Sequence, residues 1–250
     1  MKNNKKLVVL AGAAALGLVA ATGVTSGFAW FAVNSQVTAT SLTIKAKSNG
    51  AYLLIDTTDN AAANAKGTSA LTKDVAPVNV PEVYPCAYTT TAINWDGPDG
   101  VADNTDDVTI SANSWYTGTI DDKTQATGDW TSLKSVTLGE SDYFASYNFY
   151  LTLATGSEDY SGAIGVKATF NLSEPAAKAV VVFGSENQEI LSNADANSAK
   201  HNYAGQTLTA TTSIHVTIHL FIDGTSEHVY TDYTSAIEGD VDFAFQLGSY

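Results

Sequence analysis

The sequence predicts an all-β protein: a single-domain, two-sheet β-sandwich or jelly roll with a long surface excursion, following an N-terminal signal segment. Three observations carry this. Apolar and polar residues alternate in about ten segments, the pattern of half-buried strands. No comparable helical stripe follows the first apolar run. That run, behind a lysine-rich start, has the form of an export signal.

Lys2, Lys5 and Lys6 form the basic start, and an apolar stretch rich in Ala and Gly follows from Leu7 to about Ala21. The small residues Thr25, Ser26, Gly27 and Ala29 offer cleavage positions. Residues 1–29 are therefore read as a signal peptide cut within about 27–32, leaving 30–250 as the mature sandwich. An uncleaved anchor is the alternative, because Leu7 to Val33 could span a bilayer that needs about 20 apolar residues. No later segment is long or apolar enough to span, so no stable membrane span is expected after processing.

The first strand is expected where Leu42, Ile44 and Ala46 alternate with Thr43, Lys45 and Lys47, and a second at Tyr52 to Asp56. Residues 57–107 lack sustained periodicity and hold Pro77, Pro81, Pro85 and Pro98, which reads as the long surface excursion. Short strands are expected at Val108 to Ile110, Trp115 to Ile120, Leu133 to Leu138 and Ala179 to Phe183. Longer alternating runs join Tyr147, Phe149, Leu151 and Leu153, then Ile164, Val166, Ala168, Phe170 and Leu172. The clearest places Ile214, Val216, Ile218, Leu220 and Ile222 opposite His215, Thr217, His219 and Phe221. Val241, Phe243, Phe245 and Leu247 close the series, and short helical turns are expected at Asp59 to Lys66 and Asp195 to Tyr203. Strands with one apolar face each bury it by packing two sheets together.

About 220 residues remain after the signal, enough for one sizeable core. The chain has 12 lysines, no arginine and 26 acidic residues; without the three lysines of the signal, nine stand against 26, a net charge of −17. Nucleic acid is excluded as a partner, since phosphate binding relies on clustered cations and on arginine forks. The single cysteine, Cys86, cannot form an intrachain disulfide and is expected as a small buried apolar residue.

The densest polar pattern runs from Asn94 to Asp107. Asn94, Asp96, Asp99, Asp103 and Asp106 on a Gly-bent loop are the oxygen donors that calcium requires, and a solvated acidic turn is the other reading. His215 and His219 have the HxxxH spacing, but on a strand they stand about 13 Å apart and cannot grip one ion. They are expected as exposed strand histidines. Neither a GxSxG nor a Cys-His arrangement is present, so no enzymatic activity is expected. Trp95, Trp115 and Trp130, if exposed, would suit a monomeric surface adhesin or carbohydrate-binding module.

The lysine start, the Ala/Gly-rich run, then Phe28, Ala29, Trp30, Phe31, Ala32, Val33, Asn34 and the stretch from Val37 to Ile44 resemble the TasA and camelysin family over residues 1–47. The resemblance implies a Gram-positive bacterial protein exported through a signal peptidase of the SipW type. It also implies a jelly-roll fibre or biofilm-matrix subunit in the extracellular space or at the cell surface. Such subunits polymerise with themselves or with related subunits by donating an N-terminal strand. That strand would hold Trp30, Phe31, Val33, Val37, Leu42 and Ile44. Camelysins have also been classed as metalloproteases, and this sequence lacks the metal-ligand motif for that chemistry.

Overall fold

The computed structural model describes residues 42–47, 53–59, 72–78, 83–100, 102, 106–120, 130–172, 176–184, 187–194, 198–226 and 239–250. Within them fifteen strands run in chain order: β1 Leu42–Lys47, β2 Leu53–Asp56, β3 Thr72–Val75, β4 Ala87–Thr89, β5 Ile93–Trp95, β6 Val108–Ile110, β7 Ser114–Ile120, β8 Trp130–Val136, β9 Ala145–Leu153, β10 Tyr160–Leu172, β11 Ala177–Phe183, β12 Asn187–Leu191, β13 Lys200–Leu208, β14 Ser213–Ile222 and β15 Gly239–Leu247. No helix occurs among the described residues. The chain is all-β, as its alternation predicts.

Two five-stranded sheets form the body. The first has the order β13-β10-β15-β1-β3 and the second β12-β11-β14-β9-β2. The first strand meets the last in parallel, Ile44 opposite Phe243 and Ala46 opposite Phe245, while β10 and β15 pair antiparallel over eight positions. The inward sets of both sheets meet in one core that includes Ile44, Tyr147, Phe149, Leu151, Val166, Val216, Ile218, Phe243 and Phe245. Phe149 and Phe245 touch across the sheets with ring centroids 5.4 Å apart. Each such side chain, fully buried, contributes about 1.5–3 kcal/mol. Tyr203 on β13 adds a polar tie: its hydroxyl donates to the Val181 carbonyl on β11 at 2.9 Å, and its ring stacks on Phe183.

A third layer lies outside the second sheet. Strands β4, β7 and β8 form a small sheet, and Cys86, Trp115, Val136, Tyr143 and Phe144 pack against Val180 and Phe221 on the outer face of β11 and β14. Beyond it the β5-β6 hairpin packs Ile93, Trp95 and Val108 around Ile110, Tyr116 and Trp130. The expected two-sheet sandwich is thus present and carries an additional layer.

The stretch 57–107 is not one surface excursion. It supplies β3 to the first sheet, β4 to the small sheet and β5 to the hairpin, and Val75 and Val83 enter the main core. Pro77 and Pro85 explain the missing periodicity, because proline cannot donate to a ladder. The segment instead crosses the flank of the second sheet irregularly, with the Val78 N–H donating to the Ser146 carbonyl and the Tyr84 N–H to that of Asp142. Most of the proposed helical turn at 59–66 falls outside the described residues. The one at 195–203 is corrected, since Lys200 to Tyr203 belong to β13.

Candidate functional site: the first strand and the open sheet edges

Trp30, Phe31, Val33 and Val37 lie outside the described residues. Leu42 and Ile44 begin β1, which is flanked on both sides within its own chain: Ile44 registers with Phe243 on β15 and Lys73 on β3, and Leu42 with Val75. Ile44 is fully buried in the core of its own sandwich. Leu42 and Ile44, expected in a donated strand, therefore belong to their own sandwich.

The outermost strands differ in what they offer. β2 and β3 have four residues each and β12 has five, whereas β13 has nine. Among the described residues β13 pairs only with β10. From Asn202 to Leu208 it contains no charged residue and no proline, two of the devices that blunt an exposed strand edge, although the register slips by one residue between Tyr203 and Gln206, a bulge at which Gly205 has φ +69°. Only Tyr203 and Leu208 of this strand are buried, as expected for an edge with one face on the core.

The acidic stretch is the loop of the β5-β6 hairpin. Asn94 is exposed on β5 and accepts from the Thr109 hydroxyl at 3.3 Å. The Asp106 carboxylate lies against Gly97, whose φ is +72°; a Cβ at 97 would stand 2.3 Å from the Asp106 Cγ, so this approach requires glycine. Asp96 and Asp99 are exposed, and Asp103 lies outside the described residues. Among the described residues no three His, Cys, Asp or Glu side chains are grouped to hold a metal ion.

His215 is exposed and packs on Tyr150 with ring centroids 4.9 Å apart. His219 departs from expectation: it is only 8% exposed, covered by Phe144 and by the turn at Gly139, where a Cβ would come within 2.9 Å of the imidazole. Its Nδ1 lies 2.8 Å from the Ser146 hydroxyl. A serine beside a histidine is the start of a nucleophilic pair. Here both side chains are 8% exposed and no acid pairs with the histidine among the described residues, so the contact ties β9 to β14.

A second buried polar junction closes the far end of β14. Asp223 holds the Lys178 ammonium and accepts from the Thr225 N–H at 3.0 Å and hydroxyl at 2.7 Å. Its own N–H donates to Ala176, and the adjoining Cys86 exchanges backbone bonds with Ile222 and Gly224. Cys86 is fully buried, as expected; burial, then the charges of Asp223 and Glu140, push its thiol well above the ordinary range. Trp115 and Trp130, expected as exposed aromatics, are 4% and 9% exposed and pack inside the third layer. Trp95 is half-buried.

No family model, curated protein or solved structure matches this chain.

Proposed function

We propose that this chain is a secreted extracellular structural subunit that forms fibres by adding its N-terminal segment, as a strand, to the sandwich of a neighbouring molecule. The observation that carries the reading is β13, a nine-residue edge strand whose span from Asn202 to Leu208 is free of charge and proline. An extended segment can pair with such an edge through its main chain and seat alternate side chains beside it. Trp30, Phe31 and Val33, freed by cleavage of the signal, supply those side chains; burying each is worth about 1.5–3 kcal/mol. The contact is head to tail, and a head-to-tail contact that does not close into a ring grows into a filament. The partner is a second copy or a related fibre subunit, consistent with the resemblance to the TasA and camelysin family. The adhesin or carbohydrate-binding alternative loses much of its support, because Trp115 and Trp130 are buried.

Negative-stain microscopy of the mature protein and of a variant lacking residues 30–36 tests this. Filaments are expected from the first, and a folded monomer from the second. Loss of fold in the truncated protein, with the intact one monomeric at high concentration, would assign the segment to its own core and end the fibre reading.

A further inference from the structure

The geometry points to a binding site for an acidic sugar, a hexuronate held by its carboxylate between Lys167 and Lys200 with its ring against Tyr250. A cavity of about 460 Å³ opens where β10 outruns β13, lined among others by Lys167, Thr169, Phe170, Asn193, Lys200 and Tyr250. That size is in the range of ligand-binding clefts, about 300–1,000 Å³.

Lys167 and Lys200 stand directly opposite each other in the β10-β13 register. Like charges so placed repel and weaken an antiparallel pair. In a chain with 26 acidic residues and 12 lysines, carboxylate partners are plentiful. Yet among the described residues the ion pairs involve Lys134, Lys178 and His201, and neither of these two lysines. A carboxylate between them removes the repulsion and gains two charge-assisted hydrogen bonds.

The aromatic wall is fixed in place before any ligand arrives. The Tyr250 ring lies against Gly165, where a Cβ would stand 2.8 Å from its Cδ2, and the Tyr250 N–H donates to the Asn202 side chain at 2.8 Å. The preceding Gly248 N–H lies 2.8 Å from both the Ala163 carbonyl and the Tyr160 hydroxyl, which fastens this end of the chain over β10. Thr169 and Asn193 line the cavity, and a hydroxyl and an amide are both donors and acceptors suited to ring hydroxyls. A bare anion would use only the two ammonium groups. A sugar ring bearing a carboxylate uses the cations, the aromatic face and the neutral rim together.

This site is independent of the fibre reading, and each can fail without the other. The test is titration of the full chain, followed by calorimetry and by amide shifts, with D-glucuronate, D-glucose, acetate and inorganic phosphate at one ionic strength. Glucuronate is expected to bind at least fivefold more tightly than the other three. Lys167→Gln, Lys200→Gln and Tyr250→Ala should each weaken it at least fivefold while leaving the melting temperature unchanged. Acetate or phosphate binding as tightly as glucuronate would reduce the site to a charge effect. Glucose binding equally would remove the role of the lysines, and no saturable binding would leave them as guards of a strand edge; any of the three overturns the proposal.

Discussion

Burial sets the chemistry of His219. Its pKa is lowered to about 4 by desolvation, so the imidazole is neutral in the folded protein at neutral pH. In the unfolded chain it titrates near 6.5. Between these values the unfolded state binds more protons, so the stability present above about pH 6.5 is lost as pH falls toward 4, about 3 kcal/mol in all. Urea melts at pH 7 and at pH 4.5 should show a larger loss for the wild type than for His219→Gln; equal losses would assign the acid sensitivity to other groups. Cys86 offers the opposite case of a group silenced outright. Its buried thiol should resist a thiol reagent in the folded protein and react once denatured, whereas rapid labelling of the native chain would contradict its placement. Both residues show where sequence reading stops at this scale. A lone cysteine is legible as buried because its side chain is small and apolar. His219 is not, because the third layer that covers it comes from residues 139 and 144, far away in the chain.

Strands with one wet face are legible, and strands that break that rule are not. β10 and β15, and the parts of β9 from Tyr147 to Leu153 and of β14 from Ile214 to Leu220, alternate in sequence and appear where alternation places them. β3 and β13 carry no legible alternation because an edge strand needs few apolar residues: in β13 only Tyr203 and Leu208 are buried, and its remaining positions are polar or small. The third layer did leave a signal. Val180, Val181 and Val182 on β11, and Leu220, Phe221 and Ile222 on β14, are continuous apolar runs, which mark strands buried on both faces. Within that layer Gly118 on β7 allows β8 and the Trp130 ring to approach; a Cβ there would stand 2.5 Å from the Ser132 carbonyl and 2.6 Å from the ring. Glycine in a strand is ordinarily a defect, and alanine would be expected to gain about 0.5–1 kcal/mol. Here the collision reverses the sign, and Gly118→Ala should destabilise by about 1–3 kcal/mol in thermal or urea melts. A neutral or stabilising result would mean that the small sheet is loosely packed.

At the scale of the whole molecule, charge governs how copies meet. The chain carries a net charge of −14, and the proposed mature form, without Lys2, Lys5 and Lys6, −17, so two copies repel at any distance where salt does not screen them. In the proposed assembly the uncharged stretch of β13 from Asn202 to Leu208 would be a local contact inside a repulsive field. The segment proposed to be donated matches it in sequence, since residues 30–41 contain no charged side chain. Assembly through these two surfaces forms no ion pairs, so salt has only the long-range repulsion to act on. The screening length falls from about 30 Å at 0.01 M salt to about 10 Å at 0.1 M and about 3 Å at 1 M. Filament growth, followed by light scattering at fixed protein concentration, should therefore accelerate by about tenfold between the first two conditions and level off toward the third. The sign separates mechanisms. Growth that slows with salt would mean that subunits are joined by opposite charges, such as the lysine pair on β10 and β13 meeting an acidic loop, and would place the contact away from the uncharged edge. Acidification provides an independent check, because carboxylates take up protons, and so relieve the repulsion, only near their ordinary range of about 4, whereas His219 weakens the fold from about pH 6.5 downward. Growth should thus fall between about pH 6.5 and 4.5 in the wild type, before the carboxylates are protonated, and the His219→Gln variant should extend the productive range downward.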